Sequence, residues 1–275
     1  MSNTLFFAWQ LDTPAAENKS LIWNAIVAAT GKMSESTNPI ISPRPETDIQ
    51  GASGNPNIVQ TIFKRIRECS IFIADVSFVA ETSKGKLLPN PNVLLELGYA
   101  ARSIGWERTI LVMNNAYGKP SDLPFDIRQH RWPIEYKLTS RTQVREKRCE
   151  QLQENLIDAI SSCQQFILSR AEDMAKGLDA GTLAFVAENE HRDWIEIPSP
   201  PINMLGVMKH VQQVPALRHL LDIGAIIATT QPVIGYTWTT DGQYMIKALN
   251  KFEPKLLPAF RHLMQTPNDD NAHDN

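Results

Sequence analysis

Three features of the sequence predict an α/β protein: an open, doubly wound, mostly parallel sheet, followed by a smaller, mainly helical domain. From Thr4 to Tyr136, apolar runs of strand length alternate with segments whose apolar residues recur at helical spacing. One run, SIFIAD, is apolar at nearly every position and ends in Asp75, the pattern of a strand covered on both faces in a parallel sheet. From about Ser169 the alternation stops, and helical segments surround one pair of short β-branched runs. These features divide the chain into an α/β domain over 1–138, a bridging helix over 139–168, a helical domain over 169–265 and a polar, disordered tail over 266–275.

TLFFAWQ reads as the first strand, and ENKSLIWNAIVAATGKM as a helix with Leu21, Ile22, Ala25, Ile26 and Ala29 on one side. NPIISPRPETDIQGASGNP reads as a brief strand and a long polar loop holding Arg44 and Asp48; NIVQTIFKRIREC follows as a helix with Ile58, Ile62, Phe63 and Ile66 on its apolar face. SIFIAD is the next strand, PNVLLELGYAARSI a helix, RTILVMN a strand, and DLPFDIRQHRWPIEY a loop and a last edge strand. The bridging helix carries Leu152, Leu156, Ile160, Cys163 and Ile167 on one side; its basic residues Arg141, Arg145, Lys147 and Arg148 alternate with Glu146, Glu150 and Glu154, as on a solvated face. Beyond it, VPALRHLLDIGAI reads as helix, IATTQPVIGYTWT as a hairpin, and TDGQYMIKALNKF as a helix capped by Thr240 or Asp241.

Composition narrows the function classes. The 275 residues are 43% hydrophobic and 21% charged with a formal net charge of -3, so no basic excess points to nucleic acid. The amino terminus lacks a signal-peptide pattern, and no stretch reaches the roughly 18 uninterrupted apolar residues of a membrane span; a cytoplasmic protein with no membrane partner is expected. Cys69, Cys149 and Cys163 form no CxxC pair, and the six histidines form no i, i+4 pair, so no metal centre is expected. Phosphate-loop, GxGxxG, HExxH and GxSxG motifs are absent.

One residue stands out against this background. PNPNVLLELGYAARS reads as a helix with Asn90 as cap and Pro91 at its first position, and it carries a lone carboxylate, Glu96, between Leu95 and Leu97. Helical geometry puts Asn92, Tyr99, Ala100 and Ser103 on the side of Glu96, with Leu94, Leu97 and Ala101 towards the sheet. Ligands of open α/β sheets bind at the carboxyl ends of the strands. That edge is where Asp75 ends its strand, where Arg44 and Asp48 follow the second, and where Phe7 and Trp9 close the first. Glu96 is therefore a candidate site carboxylate, with an acid favoured by the helix dipole and turned to solvent as the alternative. Phe7 and Trp9, Arg44 and Asp75 are candidate ligand contacts, with core packing, a loop ion pair and a turn former as the respective alternatives. Asp48 and Asn92 complete the set of candidate substrate contacts, Asn92 with a helix-end role as the alternative.

The segments IFIADVS, PNPNVLLELGYA, RTILVMN and DLPFDIR together resemble bacterial nucleotide-binding proteins of the Toll/interleukin-1 receptor (TIR)-like class. These are relatives of the nucleoside 2-deoxyribosyltransferases, whose helix carries a Glu-x-Gly-x-Ala core matched here by Glu96, Gly98 and Ala100. The resemblance covers Thr4 to Tyr136. It implies a TIR/flavodoxin-like fold, cleavage of an N-glycosidic bond with Glu96 as the catalytic carboxylate, Phe7 or Trp9 stacked on a ring, Arg44 on a phosphate and Asp75 on the ribose, NAD as substrate with no further cofactor, and activation by self-association. Bacterial anti-phage defence is the setting it implies. One carboxylate suffices for such chemistry: nicotinamide leaves a ribosyl-pyridinium cation as a neutral molecule, so the demand is to stabilise an oxocarbenium-like centre electrostatically or as a transient nucleophile. The first strand ends FFAWQLD, where many TIR enzymes carry Ser or Tyr, which leaves NAD and a free nucleoside or nucleotide as alternatives. The helix, hairpin and helix of 169–265 resemble a winged-helix module, expected to mediate homo-oligomer or partner-protein contacts. DNA binding is disfavoured because Arg218 and Lys247 face Asp222 and Asp241 in number. A non-catalytic nucleotide sensor and a DNA-binding regulator are the competing functions.

Overall fold

The computed structural model describes residues 4–34, 44–47, 57–140, 145–196, 204–229 and 235–265. The chain divides into two compact units, 2–166 and 167–275, the latter with Met1. The first unit is built on a five-stranded, all-parallel sheet. Its strands are β1 (Thr4–Ala8), β2 (Arg44–Thr47), β3 (Ile71–Asp75), β6 (Thr109–Asn114) and β7 (Ile134–Tyr136), in the spatial order β2-β1-β3-β6-β7. Between β3 and β6 the chain adds a two-stranded antiparallel hairpin, β4 (Phe78–Glu81) and β5 (Leu87–Pro89). Counting only the strands of the main sheet, the order is 2-1-3-4-5, the flavodoxin-like arrangement, whose ligand crevice opens where β1 and β3 diverge.

Burial explains the apolar runs. Every residue of β3 and of β6 is buried. Phe6, Ala8, Phe72, Ala74, Leu111 and Met113 share one core with Ile66, Val93, Leu97 and Ala100. Phe6 and Phe72 stack there with centroids 5.9 Å apart. The alternate residues Leu5, Phe7, Ile71 and Ile73 point to the opposite face and are also fully buried. The helices of this unit are α1 (Lys19–Ser34), α2 (Asn57–Glu68), α3 (Pro91–Ser103), the short α4 (Phe125–His130) and the start of α5 (Arg145–Lys176).

The strand-helix order follows the expectation, with four differences, one being that α4 forms where a loop before the last strand is expected. The second strand is RPET, so Arg44 begins it instead of lying in the loop after it. The β4–β5 hairpin, turned through Gly85 at φ 79°, lies in a stretch for which the sequence pattern predicts no strand. The long helix starts at Arg145 and runs to Lys176, and the boundary between the units falls inside it. Its face of Leu152, Leu156, Ile160, Cys163 and Ile167 is buried, as the spacing predicts. The tail 266–275 lies outside the described residues.

The second unit contains α6 (Ala180–Asn189), α7 (Met204–Asp222), α8 (Thr240–Phe252) and α9 (Leu256–Gln265) around a three-stranded antiparallel sheet. That sheet has the order β8-β10-β9, from β8 (Ile195–Glu196), β9 (Ile226–Thr229) and β10 (Gly235–Trp238). The expected hairpin is β9–β10, and β8 adds a third strand. The helix before it stops at Asp222, because Gly224 at φ 75° turns the chain into β9. Thr239, one residue before the expected cap, caps α8 by accepting the Gly242 N–H at 3.0 Å. Among the described residues, no helix is long and apolar enough to cross a membrane.

Candidate functional site

A pocket of about 480 Å³ opens at the carboxyl edge of the parallel sheet. The segment following β1 supplies Trp9, Gln10, Leu11 and Asp12; α2 supplies Val59, Ile62 and Phe63; the start of α3 supplies Asn90, Asn92, Leu95 and Glu96. The volume is that of a small-molecule site, with apolar walls and a few polar groups.

Local sequence sets the α3 wall. β5 ends at Pro89, Asn90 is the N-cap, and its side-chain oxygen accepts the N–H groups of Asn92 (2.8 Å) and Val93 (3.1 Å). The Asn90 amide also donates to Asp12 Oδ2 at 2.6 Å, tying the segment after β1 to the helix. Val93, Leu97 and Ala100 form the buried face of α3, so Ala100 lies on the sheet side and not on the side of Glu96 as expected; Leu95 is 60% exposed. Glu96 is half-buried on the pocket wall. Replacing Asn90 by Ala is expected to cost about 1 kcal/mol of stability and to weaken ligand binding by releasing Asp12. Asn90→Ser should restore the cap without the Asp12 bond. Urea unfolding and calorimetry on the two variants separate the effects, and equal losses of affinity and stability in both would remove the positioning role.

The other expected site residues separate. Trp9 lines the pocket, with the Lys19 ammonium 3.2 Å from its ring centroid. Its indole N–H is buried and has no hydrogen-bond partner among the described residues, an orphaned donor of a kind that calls for explanation. Asn92 lines the pocket as well. Phe7 does not: it lies inside β1, is fully buried, and serves as core, because the sheet is covered on both faces there. Arg44 pairs in parallel register with Thr4, the first residue of β1, and so stands at the amino edge of the sheet, the end opposite the pocket. Asp48 lies outside the described residues.

Asp75 ends β3 but is not among the pocket residues; it is wholly buried in a polar network. Its carboxylate accepts from Gln10 Nε2 (3.3 Å), Asn18 Nδ2 (3.1 Å) and the Ser77 N–H (3.0 Å). Asn18 also donates to Ser77 Oγ at 2.8 Å, and Asn114 donates to Asn18 Oδ1 at 3.2 Å, which continues the network to β6. Burial pushes the Asp75 carboxyl above its ordinary value of 3.8, although the bonds from Ser77, Asn18 and Gln10 oppose the shift. The folded protein then holds a proton that the unfolded chain has already released, so ionising Asp75 costs stability as pH rises above about 4. Thermal melts at successive pH values should show wild type losing stability relative to Asp75→Asn across that rise; parallel profiles would contradict it. Asp75 thus shapes the segment after β1 and is no ribose ligand in this arrangement.

Sequence reasoning missed Gln10, Leu11, Asp12, Val59, Leu95 and the pocket role of Ile62 and Phe63. WQLD after the first strand was a usable signal, since it falls at the carboxyl edge. The α2 wall was hidden: Ile62 and Phe63 look like ordinary core positions, and both are in fact half-buried, with Phe63 stacked on Tyr99 at 4.4 Å. Among the described residues, no cluster of three or more His, Cys, Asp or Glu side chains is arranged to hold a metal ion. Cys69 and Cys163 are buried and Cys149 half-buried, all as free thiols.

The fold and the pocket define an α/β domain with a flavodoxin-like parallel sheet and a small-molecule crevice at its carboxyl edge. No protein-family model matches the chain, and no curated protein matches it.

Proposed function

We propose that the chain is an NAD-cleaving N-glycosidase in which Glu96 is the catalytic carboxylate. The observation that carries this reading is the position of Glu96: half-buried on the wall of the carboxyl-edge pocket, which it shares with the indole of Trp9 from another segment. In the reaction, the bond between the ribose anomeric carbon and the pyridinium nitrogen breaks, and its electron pair leaves with nicotinamide as a neutral molecule. The oxocarbenium-like ribosyl centre gains the negative charge of Glu96, worth more in a half-buried site than in water. Water then adds to the anomeric carbon and releases one proton, giving ADP-ribose; attack by an internal nucleophile of the substrate would give a cyclic product. Trp9 offers a flat apolar surface for one of the rings.

The resemblance to TIR-like proteins supports the same chemistry and adds self-association and anti-phage defence as the biological setting. The second unit, with helices and a three-stranded antiparallel sheet, is a winged-helix-like assembly module in this reading. Two of its arginines are paired with acids, Arg170 with Asp241 at 2.9 Å and Arg261 with Glu190 at 2.8 Å, which speaks against a DNA-reading surface. The test is nicotinamide release from NAD by the purified full chain over a range of protein concentrations. Release that rises more steeply than enzyme concentration is the expected result. Binding of NAD with no release at any concentration would replace the glycosidase with a nucleotide sensor.

A further inference from the structure

The outer face of α7, in the second unit, is not built like a solvated helix face. We propose that it is the surface on which two copies of the chain pair, α7 against α7 about a two-fold axis. The proposal rests on the reading of the second unit as an assembly module, and it names the surface and the partner.

The first observation is the apolar pattern of the helix. Ala216, Leu217 and Leu220 are buried and hold α7 to the core of its unit. Helical geometry gathers Val211, Val214, Pro215, Arg218, Leu221 and Asp222 into a stripe about 120° wide on the other side, and all six are exposed. Within it, Val211, Val214 and Leu221 are 64%, 40% and 37% exposed. A helix that is apolar on both sides has the pattern of one covered on both sides, whereas a solvated face carries polar and charged residues at most positions.

The second observation is charge, and it selects the occupant. The stripe holds one cation, Arg218, and one anion, Asp222, four residues apart. Asp222 is the last residue of α7 and so stands at the negative end of the helix dipole. Within a single helix, an acid placed after its base is the weaker order for a pair at this spacing. Asp222 is therefore better matched by a cation from another molecule. A two-fold axis supplies that cation twice: with two α7 helices antiparallel and crossing beside Leu221, Arg218 of each copy stands opposite Asp222 of the other, and the two Leu221 side chains meet at the axis. One patch serves both copies, as a two-fold interface requires. A DNA duplex is the poorer occupant, because the stripe carries as many anions as cations and aliphatic side chains where phosphate contacts would be needed.

Sedimentation equilibrium of the full chain over a range of concentrations is the test. Wild type is expected to dimerise, and Arg218→Asp and Asp222→Arg should each weaken the dimer at least about tenfold, because each sets like charges opposite one another twice. The two variants mixed in equal amounts should regain the dimer, and so should the double variant carrying both changes, since each combination restores both pairs in reversed order. That recovery separates the effect of charge from damage to the fold. A wild-type chain that stays monomeric, single variants that dimerise like wild type, or a double variant that does not recover would each overturn the proposal. Salt-sensitive binding of a DNA duplex that Arg218→Asp abolishes would overturn it as well. Nicotinamide release from NAD distinguishes its failure from that of the glycosidase reading. Release that stays steeply dependent on concentration in both single variants would keep the glycosidase and move assembly to another surface. A dimer lost and regained as expected, with no release at any concentration, would keep this surface and remove the glycosidase.

Discussion

Glu96→Gln is expected to lower kcat for nicotinamide release at least about a hundredfold while changing KM by no more than about threefold. Glutamine keeps the length, the hydrogen-bonding capacity and nearly the helix propensity of glutamate, so the change removes the negative charge and little else. The helix around it has independent support in the Asn90 cap and in the buried face of Val93, Leu97 and Ala100. Its fold should therefore survive, and circular dichroism checks that. A loss confined to kcat is the mark of an interaction made with the charge that develops in the transition state, since the ground-state substrate keeps its contacts. Glu96→Asp, which retains the charge but withdraws it by one methylene, should fall between wild type and the Gln variant. Asp12→Asn supplies the comparison: that carboxylate holds the Asn90 amide, and its loss should act on binding more than on kcat. A Gln variant that turns over at the wild-type rate would take Glu96 out of the chemistry.

Elements with a strong period were legible, and the residues they leave at strand ends were not. SIFIAD and RTILVMN are buried on both faces and show it as unbroken apolar runs. RPET carries no apolar run because it is an edge strand, and Pro45 is tolerated there; its true position moved Arg44 from the carboxyl edge to the amino edge. Phe7 and Trp9 look alike in sequence, yet β1 is covered on both faces and ends at Ala8, so Phe7 stays in the core while Trp9, past the strand end, reaches the pocket. Asp75 was visible as a polar strand end, but its partners Gln10 and Asn18 lie 65 and 57 residues earlier. Nothing local announces that pairing. The place of Glu96 on the pocket wall agrees with its position near the start of a helix at the carboxyl edge, whereas Asp12, joined to Asn90 across 78 residues, had no such local contrast.

Gly242→Ala is expected to destabilise the second unit by about 2 kcal/mol, with a melting temperature lower by roughly 10 °C for a unit of this size. Ordinary helix energetics predict the opposite, since alanine is favoured over glycine inside a helix by up to about 1 kcal/mol. Geometry reverses the sign. A Cβ on Gly242 would lie 2.0 Å from the carbonyl oxygen of Ala225 and 2.8 Å from its carbon, and both are backbone atoms that no rotamer change can move aside. That carbonyl is also anchored: it accepts the Thr239 N–H at 3.0 Å, while the Thr239 hydroxyl donates to the adjacent Gly224 carbonyl at 2.7 Å and accepts the N–H of Gly242. Moving α8 away to admit a methyl would stretch its own cap and open the core formed by Ala225, Ile226, Met245 and Ile246. Gly98 in α3 is the matched control, because a Cβ there meets nothing within 4 Å among the described residues. Gly98→Ala should stabilise the first unit by about 0.5–1 kcal/mol, even though Gly98 belongs to the Glu-x-Gly-x-Ala core. Thermal and urea unfolding of both variants decide the matter. If Gly242→Ala melts at or above wild type, the close approach of α8 to β9 is wrong. If Gly98→Ala loses nicotinamide release while gaining stability, the open space over Gly98 is occupied by substrate or by a second copy of the chain during turnover.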